Sequence, residues 1–93
     1  MDPDATHLDG NVAGGALGAL FPFEMTMALL RCAHCGSAEP VGAQLAYMSE
    51  MGTVVRCVHC SAALLSIVRG RDRIWLGMHG STWISIDAPA ADA

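Results

Sequence analysis

The chain has 93 residues with a formal net charge of −4, from five Arg, no Lys and nine Asp and Glu. A length of this order fits one small domain whose core needs an additional staple, and the acidic balance disfavours whole-chain attraction to nucleic acid or anionic lipid. Hydrophobic residues make up 53%, yet only two Phe, two Trp and one Tyr are among them, so an aliphatic, thin core is expected.

Residues 1–7 are polar and aperiodic and read as a flexible N-terminal tail. They lack the basic-then-apolar order of a signal peptide, so a cytoplasmic location is expected. The longest uncharged run, Gly10 to Phe23, contains four glycines and a proline and is too short to span a bilayer; no membrane partner is expected. Asp9 or Asn11 can cap a helix over about 11–20, with Leu8, Val12, Ala16, Leu17, Leu20 and Phe21 along one side and Pro22 as its stop. Gly14, Gly15 and Gly18 each cost about 0.8–1 kcal/mol relative to Ala in a helix interior. The helix therefore needs docking, either against its own sheet or against a partner.

Glu24 to Leu30 turns extended and apolar and runs into the first copy of a repeated string, Arg31-Cys32-Ala33-His34-Cys35. Residues 37–42 read as loop, with Pro40 as punctuation. Residues 43–49 and 53–58 read as two strands of a hairpin leading into the second copy, Arg56-Cys57-Val58-His59-Cys60, twenty-five positions after the first. A further strand covers Leu64 to Val68. Ile74, Leu76 and Met78 then alternate with Trp75, Gly77 and His79, and Thr82 to Ile86 repeats the alternation, so a C-terminal β-hairpin with half-buried strands is expected over about 73–87. Residues 88–93 read as a disordered tail. The single domain is thus expected over 8–87.

All four cysteines lie in the repeated strings. In a reducing compartment, paired cysteines read as ligands in preference to disulfides, and two C-x₂-C pairs supply the four soft sulfurs that suit a single structural Zn²⁺. Cys32, Cys35, Cys57 and Cys60 are the candidate ligands. Gly36 suits the tight turn after the first pair, and Ser61 in the equivalent place predicts a less regular second turn. His34 and His59 are expected to stay off a shell that four sulfurs already complete. Arg31 and Arg56 sit beside thiolates and are expected to offset their charge, since four thiolates around Zn²⁺ form a −2 centre and take the holo chain to about −6.

The two cysteine units, each carried on its own strand (Ala28 to Arg31 and Thr53 to Arg56), resemble the zinc-ribbon family of small β-domains over roughly residues 26–69. The whole chain is also similar to a small bacterial family of uncharacterised proteins, on the residues Leu8-Asp9-Gly10-Asn11, Leu17, Phe21, Thr26 and Cys32 to Gly36. These resemblances imply a small, mostly-β zinc ribbon of antiparallel hairpins with one short N-terminal helix. They imply no activity.

A closed four-cysteine shell leaves no position for a catalytic water, and no Ser-His-Asp or phosphate-loop pattern is present, so an enzyme is not expected. Iron in a rubredoxin-like redox protein is the alternative use of the same ligands, although the sparse aromatics and Ser61 favour zinc. Arg69, Arg71 and Arg73 cluster at a turn near Trp75, a minimal basic-aromatic surface that would suit nucleic acid. Between residues 31 and 73, however, five arginines face three acids, and the +2 that remains is cancelled by the metal centre. Trp75 and Trp83 are expected on neighbouring strands of the C-terminal hairpin, either as protein-interaction anchors or as cover for the helix. A non-catalytic module that binds another protein is the reading these features support; they specify neither partner nor oligomeric state.

Overall fold

The computed structural model describes residues 8–18, 20 and 25–87. In chain order the elements are β1 (Leu8–Asp9), α1 (Asn11–Gly18), β2 (Leu29–Cys32), β3 (Ala38–Pro40), a 3₁₀ turn (Val41–Ala43), β4 (Leu45–Ser49), β5 (Gly52–Arg56), β6 (Ala63–Arg69), β7 (Ile74–Gly77) and β8 (Ser81–Ser85). They form two antiparallel sheets, one of five strands in the order β1-β4-β5-β6-β7 and one of three in the order β3-β2-β8. The expected mostly-β fold with one short helix is the fold observed. The two tails and the stop at Pro22 lie outside the described residues.

Binary alternation builds the larger sheet. Ala46, Val55 and Leu65 are cross-strand partners, as are Thr53 and Ile67, and all five are buried on one face. Tyr47, Val54, Val68 and Trp75 occupy the opposite, outward face. The buried face is covered by α1, which supplies Ala13 and Leu17 to the core along with Met25, Ala28, Leu30 and Val41. The helix therefore docks on its own chain.

Its inward face differs from the one the apolar spacing predicts. Ala13, Gly14 and Leu17 are buried and Val12 is only half-buried, because small residues allow close approach. A Cβ on Gly14 would lie 2.3 Å from Thr26 Oγ1, and one on Gly10 would lie 1.7 Å from the carbonyl oxygen of Val41. Leu20 follows the helix in a turn, its N–H bonded to Leu17 O at 2.9 Å.

The C-terminal segment departs from expectation. The strands at 74–77 and 81–85 do not pair as a hairpin: β7 adds to β6 and β8 adds to β2, in different sheets. The reason lies in the connection. Gly80 N–H donates to Leu64 O at 3.2 Å, Gly80 O accepts from Ala33 N–H at 2.8 Å, and Ser81 Oγ donates to Leu64 O at 2.8 Å. A Cβ at Gly80 would fall 1.6 Å from Ala63 O, so the chain can cross from one sheet to the other there only as glycine. Trp75 and Trp83 are consequently not cross-strand neighbours. Nor is β7 half-buried; Ile74, Trp75 and Leu76 are all exposed, because an edge strand projects beyond the cover of α1. In β8 the alternation holds, with Ile84 packed against the core and Trp83 outward.

Candidate metal centre

β2 and β5 each deliver one cysteine pair, and the two pairs are built alike. In the first, Cys32 N–H donates to Ser37 O at 2.8 Å and Gly36 N–H to Cys32 O at 3.0 Å; in the second, Cys57 N–H donates to Ala62 O and Ser61 N–H to Cys57 O, both at 2.8 Å. Backbone amides also point at the leading sulfur of each pair, from His34 to Cys32 Sγ at 3.3 Å and from His59 to Cys57 Sγ at 3.4 Å. Gly36 and Ser61 take the same left-handed conformation, with φ of 82° and 66°. The second turn is therefore as regular as the first, correcting the expectation drawn from Ser61. The cost of φ > 0 at a serine is met by the bonded turn and by Arg56, whose Nη1 donates to Ser61 O at 2.9 Å.

The pairs converge so that the four sulfurs all lie within 4.8 Å of one another. Cys32 and Cys60 are 3.6 Å apart and Cys35 and Cys57 3.7 Å, far beyond a disulfide bond of about 2.05 Å. A tetrahedron with metal–sulfur bonds of about 2.3 Å has edges of about 3.8 Å, so these two separations match its edges and the four sulfurs are positioned to hold a metal ion. Cys32 and Cys57, 1% and 0% exposed, belong to the hydrophobic core, whereas Cys35 is at the surface. The cluster is thus continuous with the core on one side and open to solvent on the other.

Thiol acidity follows from the packing. Cys35 is lowered to about 6, first by the Ser37 hydroxyl at 3.2 Å and then by the Ser37 backbone. At Cys60 a backbone bond from Ala62 acts to lower the pKa, but desolvation and the sulfurs of Cys32, Cys35 and Cys57 push it up to about 12. Adjacent thiolates cannot all ionise on their own account. A divalent cation held by the four sulfurs would replace these protons and remove that repulsion.

The remaining residues named from the sequence fall in three places. His34 and His59 are exposed and outside the sulfur cluster. His59 Nε2 lies 2.8 Å from Glu39 Oε2, and this bond raises the imidazole above its usual pKa of 6.5. Arg56 clasps the second turn and sits over the Tyr47 ring, 5.8 Å from its centroid; Arg31 Nη2 lies near Gly36, 3.6 Å from where a Cβ would stand. Arg69, Arg71 and Arg73 are exposed around the β6–β7 turn, with Trp75 54% exposed beside them, while Trp83 is 41% exposed on the other sheet.

Two residues went unnoticed in the sequence. Ser37 Oγ bridges Cys35 Sγ and Cys57 Sγ, at 3.2 and 3.6 Å; a hydroxyl two positions after a ligand is the signal that would have found it. Gln44, 2% exposed, donates from Nε2 to Glu39 O at 3.3 Å and accepts at Oε1 from Val58 N–H at 2.9 Å. It ties β3 to the second cysteine turn, and nothing local in the sequence marks it.

The fold and site define a small β domain clasped by four cysteines positioned to hold a metal ion. The chain belongs to a family of unknown function (DUF6510), whose pattern it matches over residues 4–89. No curated protein and no solved structure matches it. Among the described residues, no helix is long and apolar enough to cross a membrane.

Proposed function

We propose that this chain is a non-catalytic module in which one structural Zn²⁺, held by Cys32, Cys35, Cys57 and Cys60, fixes a small β scaffold for binding another protein. The observation that carries the structural role is the position of the cluster: two of its four sulfurs belong to core residues, so holding the metal and closing the core are one event. Bound zinc would supply charge neutralisation and a rigid cross-link between β2 and β5. Four sulfurs fill a tetrahedron and leave no place for a reacting water, which argues against catalysis at this centre.

The interaction reading is supported by exposed large apolar side chains outside the metal site. Ile74, Trp75, Leu76, Trp83 and Met51 are all exposed, and aromatic anchors of this kind dominate protein interfaces. Iron would use the same four sulfurs; a colourless metalloprotein after aerobic purification supports zinc, and a visible absorption band overturns it.

The test of the whole reading is covalent capture of partners by the metal-loaded chain with and without nuclease. Recovery of the same proteins after nuclease supports a protein-binding module. Loss of the captured material on nuclease treatment, with binding to single-stranded nucleic acid that falls steeply with salt, would assign the chain to nucleic acid instead.

A further inference from the structure

The outer edge of β7 is built to accept another strand. Gly70 N–H donates to Arg73 O at 2.8 Å across the β6–β7 turn, which fixes the alternation of the ladder that follows. Val68–Trp75 and Ser66–Gly77 are the bonded pairs, and Arg69–Ile74 and Ile67–Leu76 the non-bonded ones. The bond from Arg69 N–H to Met51 O at 2.9 Å, on the opposite side of β6, agrees with that phase. The N–H and C=O groups of Ile74 and Leu76 therefore point away from β6, where the sheet ends and no further strand pairs among the described residues.

Sheet edges are normally blunted by charge, proline, bulges or very short length. The edge strand β1 has two residues, and the edge strand β3 carries Glu39 and Pro40; the fourth edge, β8, is uncharged like β7, but it carries no arginine and the acidic Asp87 follows it. Within β7 the sequence is Ile-Trp-Leu-Gly, uncharged, with Ile74, Trp75 and Leu76 exposed and Gly77 half-buried. Charge stands only at its N-terminal end, where Arg69, Arg71 and Arg73 are exposed around Asp72 and line one shallow depression with Gly70 and Ile74. No ion pair engages these arginines among the described residues. The Trp75 ring lies over Gly70, where a Cβ would come within 2.7 Å of it, so the indole joins the arginines to the apolar strand on one surface.

We propose that β7 binds an extended acidic segment of a partner protein as an added strand. Backbone bonds to Ile74 and Leu76 would give affinity, and contacts of the segment's carboxylates with Arg69, Arg71 and Arg73 would set its position. This rests on the protein-binding reading above and names its surface and the chemistry of its partner. A net charge of −4 for the chain as a whole repels acidic segments elsewhere, which confines them to this corner.

The experiment is selection of a displayed library of random ten-residue peptides on the full, zinc-loaded chain. Enriched peptides are expected to carry clustered Asp and Glu next to an apolar stretch. A synthetic copy should protect the amides of Ile74 and Leu76 from hydrogen exchange and should bind at least tenfold more weakly to Arg71→Glu/Arg73→Glu. That variant changes only exposed residues, and an unchanged cobalt spectrum at the cysteines would confirm that it folds. Enriched peptides without acids, or ones that leave those two amides unprotected, would overturn the β7 assignment while leaving a protein-binding module standing. Failure to enrich any peptide would overturn it as well, and nuclease-sensitive capture would overturn both readings. Sedimentation showing a dimer with those amides already protected would assign the edge to a second copy and overturn the proposal.

Discussion

Replacing Gly14 and Gly15 by alanine, one at a time, should change stability in opposite directions although the residues are adjacent. Both lie inside α1, where exchanging Gly for Ala gains about 0.8–1 kcal/mol from propensity alone. At Gly15 a new Cβ meets nothing within 4 Å, so the gain should appear in full. For a domain of this size that is a rise in Tm of roughly 3–8 °C. At Gly14 the new Cβ would lie 2.3 Å from Thr26 Oγ1 and 3.1 Å from Thr26 Cα. Both the side chain and the backbone of Thr26 must shift, and overpacking of this kind costs about 1–3 kcal/mol. The clash exceeds the propensity gain, leaving Gly14→Ala about 1 kcal/mol less stable than the parent and roughly 4–8 °C lower in Tm. Thermal melts of the metal-saturated chains, followed by circular dichroism, read both shifts. A Tm for Gly14→Ala equal to or above the parent value would refute the docking of α1 against the Thr26 turn. It would return the helix to the alternative of binding a partner.

Gln44→Leu keeps the volume but removes both bonds between β3 and the second cysteine turn. At about 0.5–1.5 kcal/mol each, with a further cost for groups left unpaired, a loss of about 1–3 kcal/mol is expected in denaturant unfolding, and a loss under 0.5 kcal/mol would contradict the bridging role. The His59 imidazole should titrate above 6.5 by NMR and return toward the ordinary range in Glu39→Gln. Because the folded pKa is raised, the pair's contribution is present in full below about 6.5 and fades as pH rises through the folded value. It should be small for a bond this exposed. Metal loading at pH 7 should release protons, including the one held on Cys60 by its neighbours. A titration with no proton release would show that the sulfurs were not the ligands.

The legible part of the fold was the part set by local rules. The repeated Arg-Cys-x-His-Cys strings specified both turns, and they bring all four sulfurs together. Apolar runs set between turn residues placed β4, β5 and β6, and alternation placed β8, each within about two residues of the observed strand. What the sequence withheld depends on non-local geometry. Whether β7 and β8 pair with each other or with older strands turns on Gly80 fitting against Ala63, a contact between residues seventeen apart in the chain. Gln44 is invisible for the same reason: its partners, Glu39 and Val58, flank it in space and not in pattern. Ser61 misled in the opposite sense, since a propensity for glycine at φ > 0 is weak beside the bonds that hold this turn.

The most direct test of the central claim is X-ray absorption of the purified, metal-loaded chain, read together with Cys32→Ser. A first shell of four sulfurs at about 2.3 Å, with no nitrogen or oxygen scatterer, is the result the geometry predicts. Cys32→Ser should lose that shell and the cooperative melt together, because this sulfur is part of the core. A shell containing imidazole or water, or a variant that loses the metal yet melts as before, would contradict the reading of the cysteine cluster as the clasp of the fold.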